Sequence, residues 1–412
     1  MTDARRAVAE IERAARDSWS RLLAFLAARS RDLAAAEDAL ADAFQAALET
    51  WPQSGMPNKP EAWLLTAARR RLVDNKRHAR VEINALPDLL AIADEAQELA
   101  DTDLVFPDER LKLLFVCAHP AVDAGARTPL MLQTVLGLDA ARIASAFLIK
   151  PSAMGQRLSR VKTKIRDARV TFELPETKEL PERLDAVLEA IYAAYGSGWD
   201  DVAGADPQRK GLAAEAIDLG RLLQRLMPAE PEVMGLLALM LYCESRRDTR
   251  RSAAGDYVPL SEQDPSHWSP AMTEEANQLL ITAGQAGRSG RFQLEAAIQS
   301  VHARRAIAGR TDWEAIVLLY EALARLAPTI GALLGRAAAM AEARGAATGW
   351  SLLEAIPSEA ITSYQPYWAL AAHLLARLHR TDEAVAAYEH AVGLCEDSAM
   401  RRFLMMRAQQ IS

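Results

Sequence analysis

Cysteine is scarce in this chain. There are three in 412 residues, Cys117, Cys243 and Cys395, far apart and odd in number. That excludes a disulfide framework and fits a reducing cytoplasm. Aromatics are few, at 6% of residues, and the 20 Gly and 19 Pro are modest. Strand-like alternation is scarce too, while Ala and Leu dominate, so an all-α protein is expected. No uninterrupted apolar run reaches the roughly 18 residues that a membrane span requires. The opening stretch, MTDARRAVAEIERAARDSW, lacks the apolar core of an export signal. A cytoplasmic location with no membrane contact is expected. The seven histidines are scattered. Cys117 and His119 are close, but no second pair stands at ligand spacing, so a core or structural role is expected. No glycine-rich phosphate loop and no Ser/His/Asp signature is present. No catalytic residue, metal or cofactor is expected, and the chain is not expected to be an enzyme.

What is present is an uneven distribution of charge. The net charge is −7. Residues 1–80 hold 14 Lys and Arg against 11 Asp and Glu. Residues 81–106 hold none against seven, and residues 107–170 hold 11 against five. The remainder holds 23 against 32. Two basic modules are thus separated by an acidic link and followed by a large acidic module. The bulk charge argues against nucleic acid, and its distribution argues for it.

The first module reads as three helices. One lies around Ser18 to Ala28, with Trp19, Leu22, Leu23 and Leu26 on its apolar side. The next starts at Asp32, an N-cap residue, and runs through AAAEDALADAFQAALETW. Pro52, Gly55 and Pro57 then predict a loop. A third helix opens at Pro60, which suits a first helical turn, and continues as EAWLLTAARRRLVDNKRHAR. Trp63 reads as core in preference to a stacking platform.

The second module carries the most informative stretch, residues 138–166, LDAARIASAFLIKPSAMGQRLSRVKTKIR. It reads as helix, tight turn, helix. Asp139 and Ser152 are the candidate caps, and Ile143 and Phe147 would pack the first helix on the second. Met154, Leu158, Val161 and Ile165 form one apolar face at helical spacing. The other faces carry Gln156, Arg157, Arg160, Lys162, Lys164 and Arg166. An apolar face pinned by a partner helix, with amide and basic side chains pointing away, suits a recognition helix in a DNA major groove. Two lead-in helices are expected near 109–118 and 126–136.

Beyond Pro175 and Pro181 the chain is helix-rich and suggests repeats. The clearest unit, residues 367–394, has the small and large apolar spacing of tetratricopeptide helix pairs, with a Leu-His-Arg-Thr turn where Leu-Gly-Arg is usual. A weaker copy spans about 332–356, and residues 183–326 are less regular. Such units stack into solenoids with concave binding surfaces. Residues 246–270 are polar and turn-rich and predict a long loop.

The order and spacing of RDLAAAEDALADAFQAALETW, PEAWLLTAARRRLVDNKRHAR and LDAARIASAFLIKPSAMGQRLSRVKTKIRDA resemble the two domains of a bacterial extracytoplasmic-function sigma factor of the sigma-70 family. LPERLDAVLEAIY, EPEVMGLLALML and LSEQDPSHW resemble the subgroup with a tetratricopeptide-like C-terminal extension. The resemblance implies a region 2 domain over 1–80, an acidic linker over 81–106, a region 4 helix-turn-helix domain over 107–172 and a repeat domain over 178–412. It implies that the chain binds core RNA polymerase, through the β′ clamp helices and the β subunit, and directs it to promoter DNA. Asp38, Asp42 and Phe44 fall in the stretch that docks on the clamp helices. Ser54, Met56 and Asn58 fall in the loop that captures an unstacked promoter base, though this loop has no aromatic. Arg69, Arg70, Asn75, Lys76 and Arg77 would face the upstream promoter element. Asn75 is the candidate for a base-edge contact. Ser152, Gln156, Arg157 and Arg160 would meet base edges, and Lys162, Lys164 and Arg166 phosphates. The acidic link would run through the polymerase channel toward its active site. The acidic C-terminal domain would take a protein or small-molecule regulator, and would either occlude the DNA-binding modules or support activity. Two other classes stay open: a helix-turn-helix regulator with a repeat-type sensor, and a protein-binding repeat scaffold.

Overall fold

Asp32 shows how this sequence partitions itself into helices. Arg31 sits at φ +55, which ends the preceding helix. Asp32 is extended, and its carboxylate accepts the N–H of Ala35 at 3.1 Å, capping the next helix. The computed structural model describes residues 18–55, 57–78, 109–135, 137–147, 149–199, 212–357 and 361–411. The described residues are all-α; their one β feature is an isolated bridge between Arg251 and Tyr257. The chain divides into two compact units. The first is Met1–Trp199 with Pro207–Leu219, and the second is Asp200–Asp206 with Gly220–Ser412.

In the first unit α1 covers residues 18–30, α2 Leu33–Ser54 and α3 Pro60–His78. Leu22, Leu23, Phe25, Leu26, Leu33, Leu40, Leu64 and Leu65 are buried among these three helices. Each such side chain contributes roughly 1.5–3 kcal/mol by leaving water. Contrary to the sequence expectation, Pro52 does not end α2, which carries it internally and runs on to Ser54. Proline then removes one backbone donor, a loss most tolerable near a helix end. Ser18 and Arg21 of α1 both donate to the Glu61 carboxylate in the first turn of α3. The linker 81–106 lies outside the described residues.

Helices α4 (Arg110–Cys117), α5 (Ala124–Thr134), α6 (Ala140–Ala146) and α7 (Pro151–Asp167) follow. Leu113, Leu114, Phe115, Leu130 and Leu132 form their buried centre. Helix α8 (Leu180–Trp199) packs on α4 and α5 and buries Leu184, Val187, Leu188 and Ile191. The division between units therefore falls after α8, later than the expected domain start at 178.

Helix α9 (Leu212–Leu226) crosses that division. In the second unit α10 (Pro231–Ser245) is apolar on nearly every side and lies against α11 (Pro270–Gly284) and α12 (Arg291–Ala308). At Gly235 α10 comes close against α12, since a Cβ there would fall 2.6 Å from the Gln293 backbone nitrogen. Helices α13 (Trp313–Leu326), α14 (Ile330–Arg344), α15 (Ala346–Glu354), α16 (Gln365–Arg377), α17 (Thr381–Leu394) and α18 (Ser398–Ile411) continue, each packed on the next. The expected helix pair over 367–394 is α16 with α17, where Leu374, Ala384, Tyr388 and Ala391 are buried.

Residues 246–269 form an ordered strap of short 3-10 turns joining α10 to α11. Arg305 of α12 donates to the carbonyl oxygens of Leu260, Ser261 and Gln263. The strap reaches α18 and the turn before it: Arg251 pairs with Asp397, Asp256 with Arg402 at 3.3 Å, and Glu262 with Arg407 at 2.9 Å. Tyr257 meets Phe403 edge to face, with centroids 5.3 Å apart. Among the described residues no helix is long and apolar enough to cross a membrane.

Candidate nucleic-acid and polymerase interfaces

Helix α7 begins at Pro151, whose fixed φ suits the first helical position. Ser152, the expected cap, is therefore inside the helix; Lys150 occupies the cap position and makes no side-chain capping bond. Asp139 does cap α6, accepting the Ala141 N–H at 2.9 Å. Met154, Leu158, Val161 and Ile165 are buried, as their spacing requires, and α6 contributes the buried Ile143. On the opposite face Ser152, Gln156 and Arg160 are exposed at successive intervals of four residues, one above another along the helix.

Basic side chains of α7 are engaged within the chain, Arg166 with its neighbour Asp167 at 3.3 Å. Arg157 is half-buried and lies across Gly125 of α5, its Nη2 2.7 Å from where a Cβ would stand. Lys164 is exposed and pairs with Asp123 at 3.3 Å. Lys162, expected on phosphate, is 8% exposed and ion-paired with Glu37 of α2. It points into the first module because Val161 and Ile165, its near neighbours on the helix, belong to the packed face.

Helix α2 shows the same division of faces. Asp38, Asp42, Gln45 and Glu49 are exposed along one side, with Leu48 45% exposed beside them. Asp42 meets Arg71 of α3 at 3.9 Å, both side chains about half exposed. Phe44, expected to touch polymerase, is 8% exposed and packs on Trp19 with centroids 5.7 Å apart. It is core, because it shares the face of Leu40 and Ala47. Arg69, expected on DNA, is 3% exposed with its guanidinium 5.1 Å over the Phe25 ring. Arg70, one position on, is exposed, as is Asn58. Trp63 is half-buried and meets the buried Trp51 edge to face at 5.4 Å. Met56 lies outside the described residues, as do the side chains of Ser54, Asn75, Lys76 and Arg77; Ser54 closes α2, and the other three lie in the last turns of α3.

Cys117 is fully buried within hydrogen-bonding distance of Thr134, and burial pushes its thiol up to about 12. His119 accepts the Ala121 N–H, and burial followed by the Arg183 charge lowers its basicity. Sequence reasoning missed Glu37, Asp123 and Gly125, which place the basic side chains of α7. Nothing local marks them, since Glu37 is 125 positions from its partner.

A family profile described as Sigma-70 region 2 matches residues 16–81, which contain α1, α2 and α3. Residues 16–81 are thus similar to a sigma-70 region 2 domain. A second profile, described as a family of unknown function (DUF6596), matches residues 183–284. An "Uncharacterized protein R00370" of Rhizobium meliloti (strain 1021) is 38% identical over 387 residues, covering 93% of this chain and 91% of that protein. This chain and the Rhizobium protein belong to one family along nearly their whole length. No solved structure matches. The region 2 domain implies contact with core RNA polymerase and promoter DNA, and its Asp38 and Asp42 stand exposed on α2.

Proposed function

We propose that the chain is a sigma factor of the extracytoplasmic-function type with a tetratricopeptide-like C-terminal domain, and that it directs core RNA polymerase to a specific promoter. The region 2 match on a helical module with an exposed acidic stripe carries this reading. Asp38 and Asp42 dock on the β′ clamp helices, with Leu48 and Gln45 at their side. Asn58 and Arg70 contact the promoter where it melts, and the same role is assigned from the sequence to Ser54, Met56, Asn75, Lys76 and Arg77. Helix α7 acts as the recognition helix of a helix-turn-helix: Ser152, Gln156 and Arg160 read base edges from its exposed face, and Lys164 grips phosphate. The polymerase does the chemistry. The repeat domain regulates or supports initiation by binding another protein or a small molecule.

Run-off transcription with bacterial core polymerase and a library of promoter fragments tests this. Selective initiation that is lost in Arg160→Ala is expected. Absence of both initiation and co-migration with core polymerase overturns it. A truncation meant to remove the repeat domain has to keep α8, which covers apolar surface of α4 and α5.

A further inference from the structure

Arg183, in the first turn of α8, is a charge without a counter-charge. It is 9% exposed, because α8 packs on α4 and α5 through its neighbours Leu184 and Val187. Its Nε is buried with no hydrogen-bond partner. Glu179 and Glu182 stand exposed nearby, yet no carboxylate of the described residues lies within ion-pair distance of the guanidinium. A guanidinium cannot shed its proton to escape burial. An ion taken out of water and left unpaired is among the costliest arrangements in a folded chain.

Two further donors come to the same place. His119, in the turn after α4, is close enough to Arg183 for that charge to lower its basicity. Its Nδ1 accepts the Ala121 N–H at 3.0 Å, so the ring proton stands on Nε2, which is left as a donor. Arg127, in the first turns of α5, donates its Nε to the Val122 carbonyl at 3.2 Å and keeps its two Nη groups for other acceptors. Its charge reaches both Arg183 and His119. His119 and Arg127 are half-buried, so the cluster is open to solvent on one side.

We propose that Arg183, Arg127 and His119 form a binding site for a phosphate-type dianion, carried by a small phosphomonoester or taken as free phosphate. Two permanent positive charges match a dianion, whereas a single carboxylate would leave one of them over. Donors from three separate segments suit a tetrahedral group with several acceptor oxygens, and guanidinium forks match such oxygens in pairs. The bound group ties the first turn of α8 to the turn between α4 and α5, and so fixes α8 on the module that carries α7. The site needs nothing from the sigma-factor reading.

Inorganic phosphate, titrated into the full chain against chloride at matched ionic strength, tests the site. Thermal unfolding should show a saturable rise in Tm, roughly 5 °C at a hundredfold excess over Kd. Arg183→Leu, with circular dichroism confirming its fold, should lose that rise. Arg127→Gln should weaken phosphate binding about tenfold, and it decides alone if Arg183→Leu does not fold. Phenyl phosphate separates the two sources. Tighter binding than inorganic phosphate assigns the site to a phosphomonoester, and equal or weaker binding assigns it to free phosphate. No saturable rise with either probe, or a rise that a folded variant keeps in full, overturns the site. Duplex DNA whose affinity falls in Arg183→Leu, while neither small probe binds, gives the place to a DNA backbone and overturns it as well.

Discussion

Phe44 and Asp42 stand two positions apart on α2 and face opposite environments. Phe44 fills the space beside Trp19, so Phe44→Ala should cost about 3–5 kcal/mol of stability, read as an earlier urea midpoint at unchanged slope. Asp42 makes an exposed 3.9 Å pair with Arg71. Such pairs contribute about 0–1 kcal/mol, so Asp42→Lys should leave the urea midpoint nearly unmoved while abolishing co-migration with core polymerase. A variant that loses stability and keeps polymerase would reverse the roles assigned to that face. A third residue carries backbone strain. His379, exposed in the turn between α16 and α17, has φ +58, and the Arg380 N–H reaches the Leu375 carbonyl at 3.0 Å. This is the left-handed helix end that glycine fills without penalty. His379→Gly should therefore raise stability by about 0.5–1 kcal/mol, seen as a higher Tm.

Helices are where the sequence was most legible, and the reason is locality. The apolar face of α7, the caps at Asp32 and Asp139 and the opening of α3 at Pro60 all depend on residues within one or two turns. Interactions of long reach were not legible. Spacing alone placed Lys162 on the basic side of α7, and only its contact with Glu37 turns it inward. Arg69 likewise continues a run of arginines, and only Phe25 shows that it faces the core. The start of α12 is a further case. Its cap residue, Gly290, has no side chain to offer. Glu232 of α10 supplies the acceptor instead, taking the Phe292 and Gln293 N–H groups at 2.9 and 3.1 Å. Gly290 is required there, since a Cβ would stand 2.1 Å from the Glu232 carboxyl carbon. Removing the carboxylate strands two donors at a partly buried helix end. Glu232→Ala should cost about 1–3 kcal/mol in urea unfolding, and Glu232→Gln less, because one acceptor oxygen remains.

The second unit, taken as a whole, departs from an open stack of repeats, in which each repeat touches only its neighbours. Its strap ties α10 to α18 across 146 positions through Arg251 and Asp397. Burial opposes ionisation of Asp397, but the Met400 N–H, Arg251 and the Ala399 N–H outweigh it and hold this carboxyl below its usual range. That closure makes cooperative unfolding the expectation for the unit, and it makes one buried group's titration felt throughout. His302 of α12 lies edge-on to Trp313 and faces Arg246 and Arg305; burial first, and then these two charges, lower its pKa to about 4. The unfolded chain takes up a proton near pH 6.5, and the folded unit refuses it until about pH 4. Between those values the unfolded state binds more protons, so stability falls as pH falls through this window. The full effect is on the order of 3 kcal/mol below pH 4. His302→Phe keeps a ring against Trp313 and removes the proton. Urea midpoints followed from pH 7 to pH 4.5 should therefore decline less steeply in His302→Phe than in the parent. Parallel declines would mean that groups other than His302 carry the acid sensitivity of this unit over that range.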